Sequence, residues 1–456
     1  MKKNKELSSF RDPSGYVYYE NNKIFRRVNR CYFKEYNHLM NSGLYEELVN
    51  NSLMVKHKEI EKNKDYIVLE VEKIPYISYP YEWTFNQLRD AGILTLKINK
   101  IAMKYGMILK DASAYNVQFN KGKVVFIDTL SFMFYEDNSP WGAYGQFSRH
   151  FIAPLVLMKY IDIRMNKLLE CYIDGIPLDL CSSLLGKRGG MISYLHIKMQ
   201  NKSIKKHNID RDNKKEISIK KQSIINMFDM IERQLNSLKI KDFDSEWKNY
   251  YDNTNYNDVS KFDKHEIIKG FCNEIKLNKN DIIFDLGAND GRYSELVYNE
   301  LKNTTIAFDI DNNSVERNYL NNKRRDLDIL PLVMDINNPS SGIGFSNNER
   351  MSFMDRGNAG LTLVLAFIHH IVISNNISFE MLVNFLSKIT KYLIIEFVPK
   401  EDSQVQLLLS TREDIFPLYN LDNFKKEFSK RFKIIKDVKI KDSERTLFLM
   451  EVIGEK

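Results

Sequence analysis

Three aspartates, Asp285, Asp309 and Asp335, lie at or next to the end of short apolar runs, and the first opens the segment DLGANDG at 285–291. A glycine at 287 lets the chain turn sharply and lets a ligand come close to the backbone. Asn289 is of the non-glycine type that best tolerates left-handed geometry, and Gly291 permits close packing where a helix begins. Asp309 stands 18 positions beyond Gly291, close to the ~20-residue interval at which a carboxylate grips a ribose hydroxyl in Rossmann-like sites. From Asp335, at the end of the third run, a side chain can reach the adenine of such a ligand. An aspartate after a strand is also a common helix cap. Three in successive units, joined to a glycine turn, favour a ligand.

His369 and His370 follow the fourth apolar run. Histidine titrates near neutrality, so either one suits a general base for an oxygen or nitrogen acceptor; the pair could equally shape its loop and satisfy backbone carbonyls. Glu396, inside the fifth run, is a second candidate base or a buried, paired carboxylate. Asn375 and Asn376 are placed to hydrogen-bond an acceptor or the loop itself.

These residues need a scaffold that brings them to one edge. The apolar runs are 282–286, 305–309, 330–335, 361–366 and 393–398, and helical stretches are expected near 292–302, 313–324 and 379–391. Strand–helix alternation of this kind predicts an α/β fold, a parallel sheet with helices on both faces. The runs FKIIKDVKI and RTLFLMEVI, joined by a short polar turn at 441–443, predict a closing antiparallel hairpin. The whole reads as a Rossmann-like seven-stranded sheet over 246–456.

The loop D-x-G-x-N-x-G resembles the motif of class I S-adenosylmethionine-dependent methyltransferases, often D-x-G-x-G-x-G, with Asn at the middle glycine. A leading Asp suits the methionine-derived amino group better than a pyrophosphate, which an anion there would repel. The segments at 329–344, 364–376, 393–405, 412–420 and 443–450 look like a bacterial methyltransferase group related to host-specific nodulation proteins, over roughly 245–456. The resemblance implies S-adenosylmethionine as cofactor, with Asp285, Gly287, Asn289, Gly291, Asp309 and Asp335 around it. Methyl transfer from a sulfonium is an in-line displacement, so the enzyme positions an acceptor and, where needed, removes its proton. A small-molecule or glycan-type acceptor is expected.

In the N-terminal half, LKDASAYNVQF at 109–119 and VVFIDTL at 124–130 resemble the core of aminoglycoside- and choline-kinase-like phosphotransferases. The resemblance implies an α+β kinase-like domain over 1–200. Asp111 would orient an acceptor hydroxyl, and Asn116 and Asp128 would hold Mg2+ on the phosphates of ATP. A hairpin is expected around Asn21 and Asn22, and a helix over 94–105. Arg26 or Arg27 would replace the usual nucleotide-binding Lys, with Glu35 as partner. The departures are the lack of a glycine-rich loop beyond Gly15 and the presence of Lys110 where His or Arg is usual. The alternative is a catalytically inactive binding or scaffold module.

Between the halves, 201–222 is rich in lysine and lacks aromatics, which reads as an exposed connector more readily than as a phosphate- or headgroup-binding patch. A helix is expected at 224–238, completing a connector region at 201–245, and 247–256 is polar and aromatic. The net charge of +7 and pI near 8.8 are mild for 456 residues and give no clear sign of nucleic-acid binding. Cys31, Cys171, Cys181 and Cys272 are scattered, so neither a disulfide framework nor a zinc site is expected. The longest apolar runs, 151–158 and 361–373, fall short of the ~20 residues that span a bilayer. With no apolar stretch after the charged N-terminus, a cytoplasmic location is expected.

Overall fold

The computed structural model describes residues 4–202, 218–240 and 257–454. Most of the basic connector and the aromatic stretch 247–256 lie outside the described residues. The chain forms two compact units, one of Met1–Asp242 with Gly342–Met351, the other of Phe243–Ser341 with Ser352–Lys456.

The first unit is α+β. Strands β1 (Asn4–Lys5), β2 (Gly15–Glu20), β3 (Lys23–Asn29), β4 (His57–Lys62) and β5 (Tyr66–Val71) form an antiparallel sheet in the order β1-β2-β3-β5-β4. The β2–β3 turn is made by Asn21 (φ 50°) and Asn22 (φ 61°), the paired positive φ that a two-residue hairpin turn of this hand requires. The helix Phe85–Lys104 starts at a capping box between Thr84 and Gln87, several residues before the stretch its sequence suggests. It leads into β6 (Met107–Leu109), which pairs with β9 (Phe132–Phe134), while β7 (Val117–Asn120) and β8 (Lys123–Phe126) form a hairpin between them. Two backbone bonds, Lys110 N to Ser131 O at 2.8 Å and Ile127 N to Asn116 O at 2.9 Å, hold the 110–116 and 127–131 loops side by side.

The helix Lys221–Ser237 buries Ile224, Phe228, Ile231 and Leu235, an i, i+4, i+7, i+11 stripe. Phe228 meets Trp141 edge-on at 5.0 Å, and Lys100 donates to Asp229 at 3.0 Å. This helix is therefore part of the first unit's packing.

The second unit holds the seven-stranded sheet. Its strands are β10 (Ile283–Leu286), β11 (Thr305–Asp309), β12 (Ile329–Val333), β13 (Ala359–Val364), β14 (Thr390–Phe397), β15 (Phe432–Lys439) and β16 (Thr446–Val452). Their order is β12-β11-β10-β13-β14-β16-β15; the first five are parallel, and β16 runs antiparallel to β14 and β15. Helices Arg292–Leu301, Asn312–Arg325 and Phe379–Ile389 occupy the expected crossovers. Strands β10, β12 and β13 are buried at every residue, as sheets covered on both faces demand. A core of Ile268, Phe271, Ile283, Val297, Leu363 and Ile394 packs the helix Asp258–Glu274 against one face. This is the expected Rossmann-like seven-stranded α/β sheet; its strand order reverses between the parallel neighbours β10 and β13, the switch point at which ligands of such sheets lie, outside the strands' carboxyl ends.

Among the described residues, no helix is long and apolar enough to cross a membrane.

Candidate functional site

The loop after β10 carries the predicted turn. Gly287 (φ 79°) and Gly291 (φ 85°) both take left-handed backbone, and Asn289 (φ 49°) lies between them. A Cβ on Gly287 would come within 3.0 Å of the Phe367 ring, and one on Gly291 would collide with the Asn318 side chain. Both glycines are thus required by strain and by space. The backbone N–H groups of Gly287 and Ala288 donate to Phe308 O on β11 at 2.9 and 3.0 Å.

The two elements singled out for a nucleoside meet directly. Asn289 N donates to Asp309 Oδ2 at 2.8 Å, and Asp311 N donates to Asp309 Oδ1 at 2.8 Å. Burial raises the Asp309 carboxyl to about 6 despite these bonds. Asp285 is 2% exposed and accepts from Ser294 Oγ at 2.6 Å. Burial, with the nearby Asp309 adding repulsion, pushes it up to about 7. Asp335 lies just beyond β12, half-buried, and accepts from Asn337 N at 2.9 Å in a local turn.

The loop after β13 faces the same turn through Phe367. His369 is 1% exposed and its Nδ1 is buried with no hydrogen-bond partner. Burial, with His370 beside it, holds its pKa well below the usual histidine value. His370, 4.2 Å away ring to ring, is lowered to about 4 by burial and by the Arg445 charge. Both rings are therefore neutral near pH 7. Asn375 Nδ2 donates to His370 O at 2.9 Å and braces the loop, and Asn376 takes a positive φ of 56° in the turn that follows.

This loop is tied at Ala366 to a charge network built on Glu396. Glu396 is the paired carboxylate. Its Oε2 accepts from Lys264 Nζ at 2.6 Å and from Ala366 N at 2.8 Å. Arg445 reaches its Oε1 at 3.5 Å and clamps Asp402 at 2.7 and 3.1 Å. The signal for Lys264 was present but weak: it sits at i−4 and i−7 from Ile268 and Phe271, on the apolar face of its helix.

The glycine turn and the carboxylates of Asp285 and Asp309 thus come together at the carboxyl ends of the adjacent parallel strands β10 and β11.

In the first unit, Asp111, Asn116 and Asp128 come together as their spacing suggests. Asp111 accepts from Gln146 Nε2 at 2.8 Å and Ser113 N at 3.0 Å, and burial with the Asp128 charge raises its pKa. Asn116 Nδ2 donates to Ser131 Oγ at 3.1 Å, and Ser131 in turn donates to Asp128 Oδ2. Asp128 Oδ1 is engaged by Arg26 in a short ion pair. Burial alone would raise the Asp128 pKa; the Arg26 guanidinium and the Ser131 bond hold it below the usual carboxylate value.

The expected pairing of Arg26 or Arg27 with Glu35 does not form. Successive residues of a strand point to opposite faces, so Arg26 turns inward to Asp128 and Ile127 O. Arg27 lies over the Tyr66 ring at 4.1 Å, and Glu35 Oε2 is buried without a hydrogen-bond partner. Lys110 donates to Asp12 Oδ2 at 3.2 Å and Ser14 Oγ at 3.0 Å. Among the described residues, no group of three or more His, Cys, Asp or Glu is arranged to hold a metal ion. With both Asp128 oxygens engaged, this arrangement does not fit Mg2+ unless Arg26 withdraws.

No family model matches the chain. It is 30% identical over 457 residues to nodulation protein NoeA of Rhizobium meliloti (strain 1021), covering 97% of this chain and 95% of that protein. The chain belongs to the NoeA family. Among solved structures it is similar to the bifunctional kinase-methyltransferase WbdD, at 16% identity over 43% of this chain and 40% of that one, with a TM-score of 0.30. It thus spans less than half the length of that protein. An S-adenosylmethionine-dependent methyltransferase from Clostridium acetobutylicum is 14% identical over 43% of this chain and 93% of its own, with a TM-score of 0.31. Within this NoeA-family chain, the glycine turn at 287–291 was legible in sequence. Lys264, Arg445 and the 342–351 segment, which belongs to the first unit, were not.

Proposed function

We propose that this chain is an S-adenosylmethionine-dependent methyltransferase acting on a small-molecule or glycan-type acceptor, with the kinase-like first unit holding a substrate. The observation that supports this reading is the Asn289 N to Asp309 Oδ2 bond, which joins the glycine turn to the carboxylate at the end of the next strand. When bound, the cofactor supplies an electrophilic methyl group. Asp309 binds the ribose, Asp285 and the turn at 287–291 hold the cationic amino-acid end, and Asp335 serves the adenine edge. His370 or His369, neutral in its buried loop, removes the acceptor's proton as the new bond forms. Burial excludes water from the sulfonium and strengthens each of these contacts.

The first unit is read as a binding module because Arg26 engages Asp128. Phosphotransfer, with Asp111 orienting the hydroxyl and Asn116 and Asp128 on Mg2+, is the second reading; its support is the 111–116–128 constellation on adjoining loops.

Isothermal titration with S-adenosylmethionine tests the main claim. A saturable single site is expected in the full chain and is lost in Gly287→Arg and in Asp309→Ala. Absence of binding by a folded wild-type chain overturns the assignment.

A further inference from the structure

The segment Gly342–Met351 lies in the sequence between β12 and β13 yet packs in the first unit. It forms a small hairpin in which Ile343 and Arg350 exchange backbone hydrogen bonds at 3.1 and 3.0 Å. Glu349 is 3% exposed, and both of its carboxylate oxygens are held by Arg11, at 2.6 and 2.9 Å. Met351 N donates to Tyr79 Oη at 2.9 Å, and Phe10 packs on Phe345 at 6.0 Å. The hairpin is thus pinned at several points.

These attachments place Arg350 in the wall of a cavity of about 300 Å³ that Arg26, Asp111, Asn116, Tyr115 and Asp128 also line. Its guanidinium lies 4.0 Å above the Tyr115 ring, and one terminal nitrogen donates to Glu349 O at 3.0 Å. Its Nε is buried with no hydrogen-bond partner. Of the three arginines in this wall, Arg26 is neutralised by Asp128 and Arg11 by Glu349. Arg350 has no carboxylate partner within salt-bridge distance among the described residues. A guanidinium held over an aromatic face in a cavity wall, with no carboxylate to neutralise it, is suited to receive an oxyanion. The carboxylate of Asp111, across the same cavity, accepts hydroxyl donors.

We infer that this cavity takes an anionic polyol, its phosphate or carboxylate on Arg350 and its hydroxyls toward Asp111. The inference rests on reading the first unit as the holder of a substrate, and it adds that substrate's charge. Arg350 is a specificity-determining residue supplied by a hairpin that interrupts the methyltransferase sheet in sequence.

The test titrates the full chain at low salt with inorganic phosphate, glucose 1-phosphate, glucuronate and neutral glucose, and separately with ATP–Mg2+. A saturable site for glucose 1-phosphate or glucuronate is expected, at least tenfold tighter than for glucose and displaced by inorganic phosphate. The stronger of the two sugars identifies the anion as phosphate or carboxylate. Arg350→Ala should lose at least tenfold, and Arg350→Lys should keep part of the affinity, with melting temperature and S-adenosylmethionine affinity unchanged in both. The inference is overturned if no anionic sugar saturates, if only ATP–Mg2+ does, or if Arg350→Ala binds like the wild type. A wild type that binds the sugar but not S-adenosylmethionine instead removes the methyltransferase reading and leaves this one standing.

Discussion

Lys264 donates to Glu396 at 2.6 Å across 132 residues of sequence, and the same carboxylate oxygen receives Ala366 N from the loop that carries His369 and His370. The ion pair is sealed, with the two side chains 3% and 0% exposed. Arg445 extends it to Asp402. The network therefore does two things at once: it satisfies four charges inside the core and anchors the start of the loop that carries the two histidines.

Removing one partner of a sealed pair leaves an uncompensated charge, which costs about 3–5 kcal/mol. Arg445→Ala strips Asp402 of its clamp and Glu396 of its second cation. A drop of that order in unfolding free energy, with an unchanged denaturant slope, is the expected result of urea titration. A loss below about 1 kcal/mol would mean that water already screens the network.

Cofactor binding should tighten as pH rises. Asp285 at about 7 and Asp309 at about 6 both lie above the ordinary aspartate value because they are buried. Raised carboxyl pKa values favour the protonated folded chain at low pH, and this contribution is lost as pH climbs through 6 and 7. A cationic ligand prefers the ionised carboxylates, so its affinity gains where the fold's own preference fades. Titrations from pH 5.5 to 8 should show falling Kd, and proton release near pH 6.5, read from the buffer dependence of the enthalpy. A flat profile removes Asp285 from the cationic end and Asp309 from the ribose.

His370→Ala should leave S-adenosylmethionine affinity within a factor of about two while lowering methyl transfer by roughly 10²–10⁴, the usual contribution of a general base. His369→Asn reports on the alternative in which the pair only shapes the loop. If both variants lose cofactor affinity and turnover together, the histidines are structural and the base lies elsewhere.

Arg26 governs whether Asp128 is open to a cation. Arg26→Met frees one oxygen of Asp128, and its carboxyl should titrate higher without the guanidinium. Mg2+-dependent strengthening of ATP binding is then expected to be larger in Arg26→Met than in the wild type, and absent from Arg26→Met combined with Asp128→Ala. A wild type that binds ATP–Mg2+ as tightly as Arg26→Met shows that the ion pair opens freely, and that favours phosphotransfer.

Residue order alone fixed the parts whose cause is local. The turn at 287–291 declares itself because Gly and Asn are the residues that accept positive φ, and the buried parallel strands declare themselves as unbroken apolar runs between helical periods. The Asn21–Asn22 hairpin and the 111–116–128 spacing belong to the same class. Tertiary structure decided whatever depends on distant charges meeting. Lys264 is one lysine among many until burial beside Glu396 makes its partner obligatory, and Arg26 turns to Asp128 rather than Glu35 because the strand's alternation sends it inward. The 342–351 hairpin shows no periodicity; its place in the first unit follows from the Arg11–Glu349 pair, formed between residues 338 positions apart. Local backbone preference can be read from neighbours in sequence, whereas desolvation acts on neighbours in space.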